Sequence, residues 1–178
     1  MLGPRLQGAT GTALITPTLE HVRRNWEWMT IPETTRFWGW RAMDLRPEYS
    51  EERFKKNADD ATQVLWTVEH ESQPVGFAGI FDIDWIARDG ESGIFIGRHD
   101  LHGRGIATEA VRLRTEYAWQ ELRLHRVHNW IAMRNRGSRR ANEKAGYRQM
   151  GRLERSWFRS GQWMDEWLGE ILAPADEG

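Results

Sequence analysis

The 178-residue chain contains no cysteine. Disulfide bonds, cysteine-ligated zinc, iron–sulfur clusters and a thiol nucleophile are therefore excluded. The sequence also lacks any apolar run near the roughly 18 residues that a transmembrane helix needs, and its mean hydropathy is −0.72. Its first residues lack the basic start and apolar stretch of a secretory signal. These absences predict a cytoplasmic protein with no membrane partner.

The net charge of the chain is small, but positive charge is concentrated in one segment. The formal net charge is −1, yet residues 98–160 hold 15 Lys and Arg against 6 Asp and Glu. The flanking residues 1–97 and 161–178 each have a balance of −5. A near-neutral total argues against nucleic-acid binding through a bulk field, and the basic segment fits either a solvated face or a polyanion site. We expect no nucleic-acid partner; a nucleic-acid-binding module on residues 98–160 is the weaker alternative.

Hydrophobic periodicity and turn residues predict one domain over residues 1–178, with the element order β-α-α-β-β-β-α-β-α-β-β. This order implies a mixed α/β sheet with an antiparallel centre. The predicted strands are 12–16, 64–69, 75–83, 92–97, 126–132, 148–158 and 162–172, and the predicted helices are 19–29, 51–60, 105–122 and 138–145.

Six of the 11 tryptophans fall on these elements, where we expect core or hairpin packing: Trp66, Trp119, Trp130, Trp157, Trp163 and Trp167.

A glycine-rich loop, residues 102–108, precedes the strongest predicted helix. Glycine lets a backbone approach a ligand closely, and the first N–H groups of a helix lack internal partners beside the positive end of its dipole. Such a loop binds phosphate or pyrophosphate, although its Gly-x-Gly spacing also fits a simple tight turn. A dinucleotide-binding loop would have a third glycine where Thr108 stands, and the Gly-Lys-Ser/Thr of a Walker loop is absent.

Three ordered blocks, at residues 91–110, 135–147 and 159–165, together resemble the GCN5-related N-acetyltransferases (GNAT), specifically the RimJ/RimL-type branch. Residues 91–110 (ESGIFIGRHDLHGRGIATEA) resemble the acetyl-CoA motif, with His102 in place of the usual Gln or Arg. Residues 135–147 (NRGSRRANEKAGY) resemble the second block, and residues 159–165 (RSGQWMD) resemble the terminal hairpin. The resemblance implies a mixed, largely antiparallel sheet of about six to seven strands flanked by about four helices.

The resemblance also implies a function: acetyl-CoA-dependent transfer of an acetyl group to a primary amine by direct attack in a ternary complex. The acceptor would be a protein N-terminus or a small-molecule amine, and no metal would be needed. The implied acetyl-CoA contacts, by main chain for the first two, are Phe95, Ile96, His102, Gly103, Arg104, Gly105, Ile106, Ala107, Thr108, Asn135, Ser138 and Asn142. A CoA-binding regulator without transfer activity is the alternative, favoured by the replacements at His102 and Asn142.

The chemistry requires a base, because a lysine amine has a pKa near ~10.4 and an α-amine near ~8. Glu91 is the candidate base, acting directly or through water; alternatively it caps the turn before it or pairs with an arginine. Ser138 is the candidate proton donor to the CoA sulfur, since Asn142 stands where many relatives have a tyrosine. The alternative for Ser138 is the N-cap of the short helix.

Substrate contacts are expected from the variable segment of about residues 31–60, which the family pattern does not fix. Trp38 and Trp40 there suit a cationic amine by cation–π attraction, and equally a core or a dimer interface. Asp165 is either an anchor for the amine or a hairpin stabiliser. The two histidine pairs three residues apart lack a third ligand, so we expect no metal. The expected assembly is a monomer or homodimer.

Overall fold

The computed structural model describes residues 1–38 and 46–175. In these residues the strands are β1 (Leu6–Gln7), β2 (Thr12–Ile15), β3 (Val64–His70), β4 (Gln73–Asp84), β5 (Asp89–Ile96), β6 (Arg126–Ala132), β7 (Arg148–Arg159) and β8 (Gln162–Leu172). The α-helices there are α1 (Leu19–Met29), α2 (Pro47–Asp59), α3 (Ile106–Gln120) and α4 (Arg136–Lys144), and a 3₁₀ turn covers His99–Leu101. None of the helices in this described part of the chain is long and apolar enough to cross a membrane.

One sheet contains all these strands in the order β1-β2-β3-β4-β5-β6-β8-β7. Its neighbours are antiparallel except for the parallel pair β5–β6. The predicted mixed, largely antiparallel α/β sheet is confirmed, but its strands within the described residues number eight rather than six to seven. The additional strand is β1, whose two residues pair with Ala13 and Leu14 and are too few to show a period of their own.

Helix starts follow local capping. Thr18 caps α1 as predicted, and its hydroxyl accepts a hydrogen bond from the His21 N–H at 3.3 Å. Helix α2 begins at residue 47, four residues before the predicted start at 51. Helix α3 begins directly after Gly105, which has a left-handed backbone with φ +87°. This glycine therefore sets the direction in which the first turn of α3 faces.

The core lies mainly between the sheet and α3. Its largest buried aromatic side chains are Trp66 and Trp167, each 1% exposed. Among the tryptophans predicted to pack, Trp163 is exposed at the last hairpin but contacts Phe158, with ring centroids 5.1 Å apart. Trp130 departs from the expectation, because it is 46% exposed on the sheet face opposite α3.

The centre of the sheet opens between its two parallel strands. Strands β5 and β6 pair only at Asp89–Arg126, Gly90–Val127 and Glu91–His128. Beyond Glu91, β5 continues beside β4 while β6 continues beside β8. The strands therefore separate, and we call the opening between residues 92–96 and 129–132 the strand gap.

Candidate active site

Two cavities meet at the strand gap. The larger cavity, about 820 Å³, has walls from α1, α2 and the adjoining sheet face. The smaller cavity, about 600 Å³, lies between β5, the loop before α3 and α4. Five residues line both cavities: Phe37, Trp38, Ile94, Asn135 and Ser138. A molecule in one cavity can therefore contact a molecule in the other.

The smaller cavity brings together most of the predicted cofactor residues. These are Phe95, Ile96, His102, Gly103, Gly105, Ile106, Ala107, Thr108, Asn135 and Ser138. Arg104 is exposed and is not among the lining residues of either cavity. Asn142 is 1% exposed and lines the larger cavity instead.

The loop before α3 has the geometry of an anion site. Gly103 and Gly105 have φ of +84° and +87°, and a Cβ built on either would meet no atom within 4 Å. Glycine is thus required there by backbone conformation and not by crowding. The N–H of Glu109 donates to the Gly105 carbonyl at 3.0 Å, and no described side chain caps the N-terminus of α3. The amides of residues 106–108 remain for a ligand, which fits the phosphates of CoA.

The His102 side chain links this loop to β5 by a hydrogen bond. Its Nε2 donates to the Ile96 carbonyl at 3.2 Å, and its ring lies against His99 with centroids 4.9 Å apart. The side chain that replaces the family's Gln or Arg therefore holds the loop in place. Its contact with a cofactor stays a prediction.

The main chain of β5 alternates between β4 and the strand gap. The Gly97 N–H donates to the Val75 carbonyl of β4 at 2.9 Å. Because successive residues of a strand direct their N–H and C=O groups to opposite edges, those of Ile96 face the gap and those of Phe95 face β4. Ile96 thus offers the main-chain N–H predicted for it, whereas Phe95 reaches the cavity through its buried side chain.

Glu91 stands at the vertex of the strand gap, half-buried, and lines the larger cavity. Burial raises the pKa of its carboxyl group. The imidazole of His128 opposes this rise, and the carboxylates of Asp82 and Glu166 add to it. Within residues 1–38 and 46–175, nothing hydrogen-bonds this carboxylate, so neither alternative predicted for it is observed there. A carboxylate with a raised pKa is a better proton acceptor near neutral pH.

Ser138 is free of the capping role considered for it. Helix α4 begins at Arg136, and Asn135 is its N-cap, accepting from the Ser138 N–H at 3.2 Å. The predicted helix start at 138, and with it the N-cap alternative for Ser138, is therefore wrong. The Ser138 hydroxyl lies where both cavities meet.

Asn142 is engaged within the protein. Its Oδ1 accepts from Asn129 Nδ2 at 2.8 Å, and its Nδ2 donates to the Ser138 carbonyl at 2.9 Å. It therefore supports the backbone of α4 near Ser138. Its predicted contact with CoA stays a prediction.

The predicted substrate residues differ in placement. Trp38 lies edge-on to Phe77 and Phe95, with ring centroids 5.2 and 5.6 Å apart. Trp40 lies outside the described residues. Asp165 lines neither cavity; it accepts from the Arg155 N–H at 2.8 Å and from Arg152 Nε at 2.9 Å, and these bonds lower its pKa. This geometry favours the hairpin-stabilising alternative.

Most of the aromatic wall of the larger cavity was not foreseen from the sequence. Besides Trp38 it consists of Trp26, Phe37, Phe54, Trp66, Phe77, Phe81, Trp130 and Trp157. Three further carboxylates, Asp60, Asp82 and Glu166, line the same cavity. The sequence did indicate part of this wall, because the even spacing of residues 77 and 81 in a predicted strand places their side chains on the same face.

Arg114 was also missed. It is 1% exposed, and its Nη1 donates to the Gly93 carbonyl at 2.6 Å beside the strand gap. Its position four residues after Ala110 and four before Ala118 places it on the buried stripe of α3. This spacing in the sequence could have predicted that Arg114 is buried.

Comparison with known proteins assigns the family. Residues 13–148 match the model of the acetyltransferase (GNAT) domain. The chain therefore belongs to the GNAT acetyltransferase family, as the resemblance of its three blocks predicted.

Individual relatives and structures are consistent with this assignment. The chain is 45% identical over 76 residues to the "Probable N-acetyltransferase YjcK" of Bacillus subtilis, covering 43% of this chain and 42% of that protein. It is 25% identical over 116 residues to the spermidine N(1)-acetyltransferase of Vibrio cholerae, covering 65% and 66%. A Vibrio cholerae spermidine N-acetyltransferase crystallised with CoA and spermine superposes with a TM-score of 0.85 at 21% identity, covering 92% of this chain and 96% of that one. The chain thus aligns with less than two thirds of the YjcK protein and shares the fold of the crystallised one.

Proposed function

We propose that residues 1–178 form a single acetyltransferase domain that moves the acetyl group of acetyl-CoA to a primary amine. The observation that carries this proposal is the junction of two cavities at the strand gap. One cavity has an open glycine loop at the N-terminus of α3, and the other has aromatic walls and carboxylates. Acetyl-CoA supplies an activated thioester; the chain supplies binding, orientation and proton transfer. Direct attack in a ternary complex follows, because the chain has no cysteine to carry an acetyl group.

Glu91 acts as the base. It lies at the vertex where the two strands part and lines the cavity assigned to the amine. An ammonium group must lose a proton before its nitrogen can attack a thioester. A half-buried carboxylate with a raised pKa accepts that proton directly or through one water molecule.

Ile96 and Ser138 act on the thioester side. The Ile96 N–H faces the strand gap and is suited to stabilise negative charge that develops on the thioester oxygen. The Ser138 hydroxyl is suited to donate to the departing sulfur. The two groups thus serve the two atoms of the thioester that become more negative.

The acceptor is a cationic primary amine, either a small molecule or a peptide N-terminus. Aromatic faces attract an ammonium group, and Asp82, Glu91 and Glu166 add negative charge at the same cavity. One relative is a spermidine acetyltransferase by name, which makes polyamines the first compounds to assay. The monomer or homodimer and the cytoplasmic location expected from the sequence stay predictions.

The test is an assay of thiol release from acetyl-CoA against a panel of polyamines, arylalkylamines, aminoglycosides and N-terminal peptides. We expect release that depends on one class of amine and an acetylated product by mass spectrometry. Tight acetyl-CoA binding with no turnover on any amine would instead support a CoA-binding regulator.

A further inference from the structure

A row of polar side chains crosses four strands on one face of the sheet. Glu91 of β5 lies opposite His128 of β6, His128 lies opposite Glu170 of β8, and Glu170 lies opposite Arg148 of β7. Residues opposite one another in register present their side chains on the same face. His128 therefore stands directly beside the proposed base, although it does not line the larger cavity.

His128 is held from its other side by Asp89. Its Nδ1 donates to Asp89 Oδ1 at 2.9 Å. Asp89 precedes Glu91 by two residues and so lies on the same face of β5. The imidazole is thus hydrogen-bonded to one carboxylate, that of Asp89, and is the cross-strand neighbour of a second, that of Glu91.

Arginines neutralise the other carboxylates of this cluster. Arg126 donates to Asp89 at 2.7 Å and to Glu170 at 2.9 Å, and Arg148 donates to Glu170 at 2.9 Å. Glu91 has no arginine partner among the described residues. Asp82 of β4 and Glu166 of β8 face it as further negative charges. His128 is therefore the cationic group that opposes them.

We propose that His128 is a positioning residue for amine acetylation, whose imidazolium beside Glu91 favours the ionised carboxylate that removes the ammonium proton. This inference rests on the proposed function. The N–H bond of the ammonium breaks, and an O–H bond forms on Glu91 while the electron pair stays on the amine nitrogen. That O–H bond then breaks, and water takes up the proton. Asp89 stabilises the imidazolium of His128, whose side chain is 22% exposed.

The test compares His128→Gln with the wild type in the pH dependence of kcat/KM for one amine, from about pH 5 to about pH 9, around the usual pKa values of carboxylates and imidazoles. Loss of the neighbouring positive charge makes Glu91 harder to ionise, so the acid limb moves to higher pH. We expect about a tenfold loss of activity below the wild-type limb, the usual effect of removing one nearby opposite charge. The KM for acetyl-CoA stays unchanged. Ionisation of the amine is common to all variants and cancels in the comparison.

Two further variants make the test specific. Asp89→Asn retains the imidazole of His128 but removes the carboxylate that stabilises the imidazolium. The acid limb of this variant therefore moves in the same direction as that of His128→Gln. Asp89→Asn also replaces His128→Gln in the test if the latter variant does not fold. His125→Gln is the matched control, because His125 is exposed just before β6, and the described hydrogen bonds at this residue are main-chain ones. It should leave the acid limb unchanged.

The possible outcomes distinguish failure of this inference from failure of the proposed function on which it rests. If Glu91→Gln abolishes amine acetylation while His128→Gln and Asp89→Asn keep the wild-type acid limb, the role of His128 is overturned and that of Glu91 stands. If Glu91→Gln retains full activity, both roles fail. If the wild type acetylates no amine, the proposed function fails, and this inference fails with it.

Discussion

At the scale of single residues, the sequence made Ser138 a candidate both for the N-cap of α4 and for proton donation to the CoA sulfur. In the structure Asn135 is the N-cap. Asn135 caps α4 through its side chain, and Ser138 contributes only its main-chain N–H to that cap. The Ser138 hydroxyl is thereby left at the junction of the cavities. Removing it should affect chemistry more than folding.

Ser138→Ala is therefore expected to lower kcat about 10- to 100-fold, since a hydrogen bond to a developing charge contributes about 1.5–3 kcal/mol. The affinity for acetyl-CoA and the unfolding temperature should stay near those of the wild type. Steady-state kinetics and thermal unfolding measure both quantities. The control is Ser160→Ala at the exposed hairpin turn, which should retain wild-type kcat. Unchanged kcat in Ser138→Ala would remove the serine from the mechanism.

At the scale of secondary-structure elements, the N-terminus of α3 defines the proposed cofactor site. Its left-handed Gly105 directs the first turn of the helix toward the smaller cavity. Bulk and negative charge added there would oppose bound phosphates both sterically and electrostatically. The same substitution at a remote glycine with similar backbone geometry separates this effect from strain.

Gly105→Glu should weaken acetyl-CoA binding at least about 100-fold, or about 2.7 kcal/mol, in isothermal titration calorimetry. Gly161→Glu is the matched control, because Gly161 also has positive φ, +75°, and a Cβ there would also meet no atom within 4 Å. Both variants carry similar backbone strain, and only the first should lose affinity. Equal affinities in the two variants would contradict the phosphate-loop assignment.

Elements with a clear period could be predicted from the sequence, and elements fixed by distant contacts could not. Strands β6 and β8 have the predicted bounds, and α3 differs by one residue at its start and two at its end. Strand β1 has two residues and exists through its pairing with β2. The short parallel contact of β5 with β6 joins residues far apart in sequence, so the strand gap left no local signal.

At the scale of the whole molecule, the fold distributes the basic segment of residues 98–160 instead of presenting it as one face. Arg114 is buried against Gly93, Arg126 and Arg148 belong to the ion-pair cluster beside Glu91, and Arg152 pairs with Asp165. Much of the local excess of positive charge is therefore used internally. The absence of a nucleic-acid partner, expected from the sequence, stays a prediction.

The candidate site is likewise a property of the whole fold. The phosphate loop, Glu91 and Ser138 came from motifs within short stretches of sequence. The aromatic wall of the larger cavity comes from α1, α2 and strands β3, β4, β6 and β7, with Phe37 and Trp38 following α1. The cluster around His128 similarly combines four strands. Their assembly depends on strand order, which no single segment encodes.

The most direct test of this account is the turnover of Glu91→Gln with the amine that the wild type acetylates best. We predict that kcat falls about 100-fold or more, the usual contribution of a general base, while calorimetry finds acetyl-CoA affinity unchanged. Glu121→Gln, an exposed position at the far end of α3, should behave as the wild type. Wild-type kcat for Glu91→Gln at every pH would contradict the account, because the junction of the two cavities would then contain no essential base.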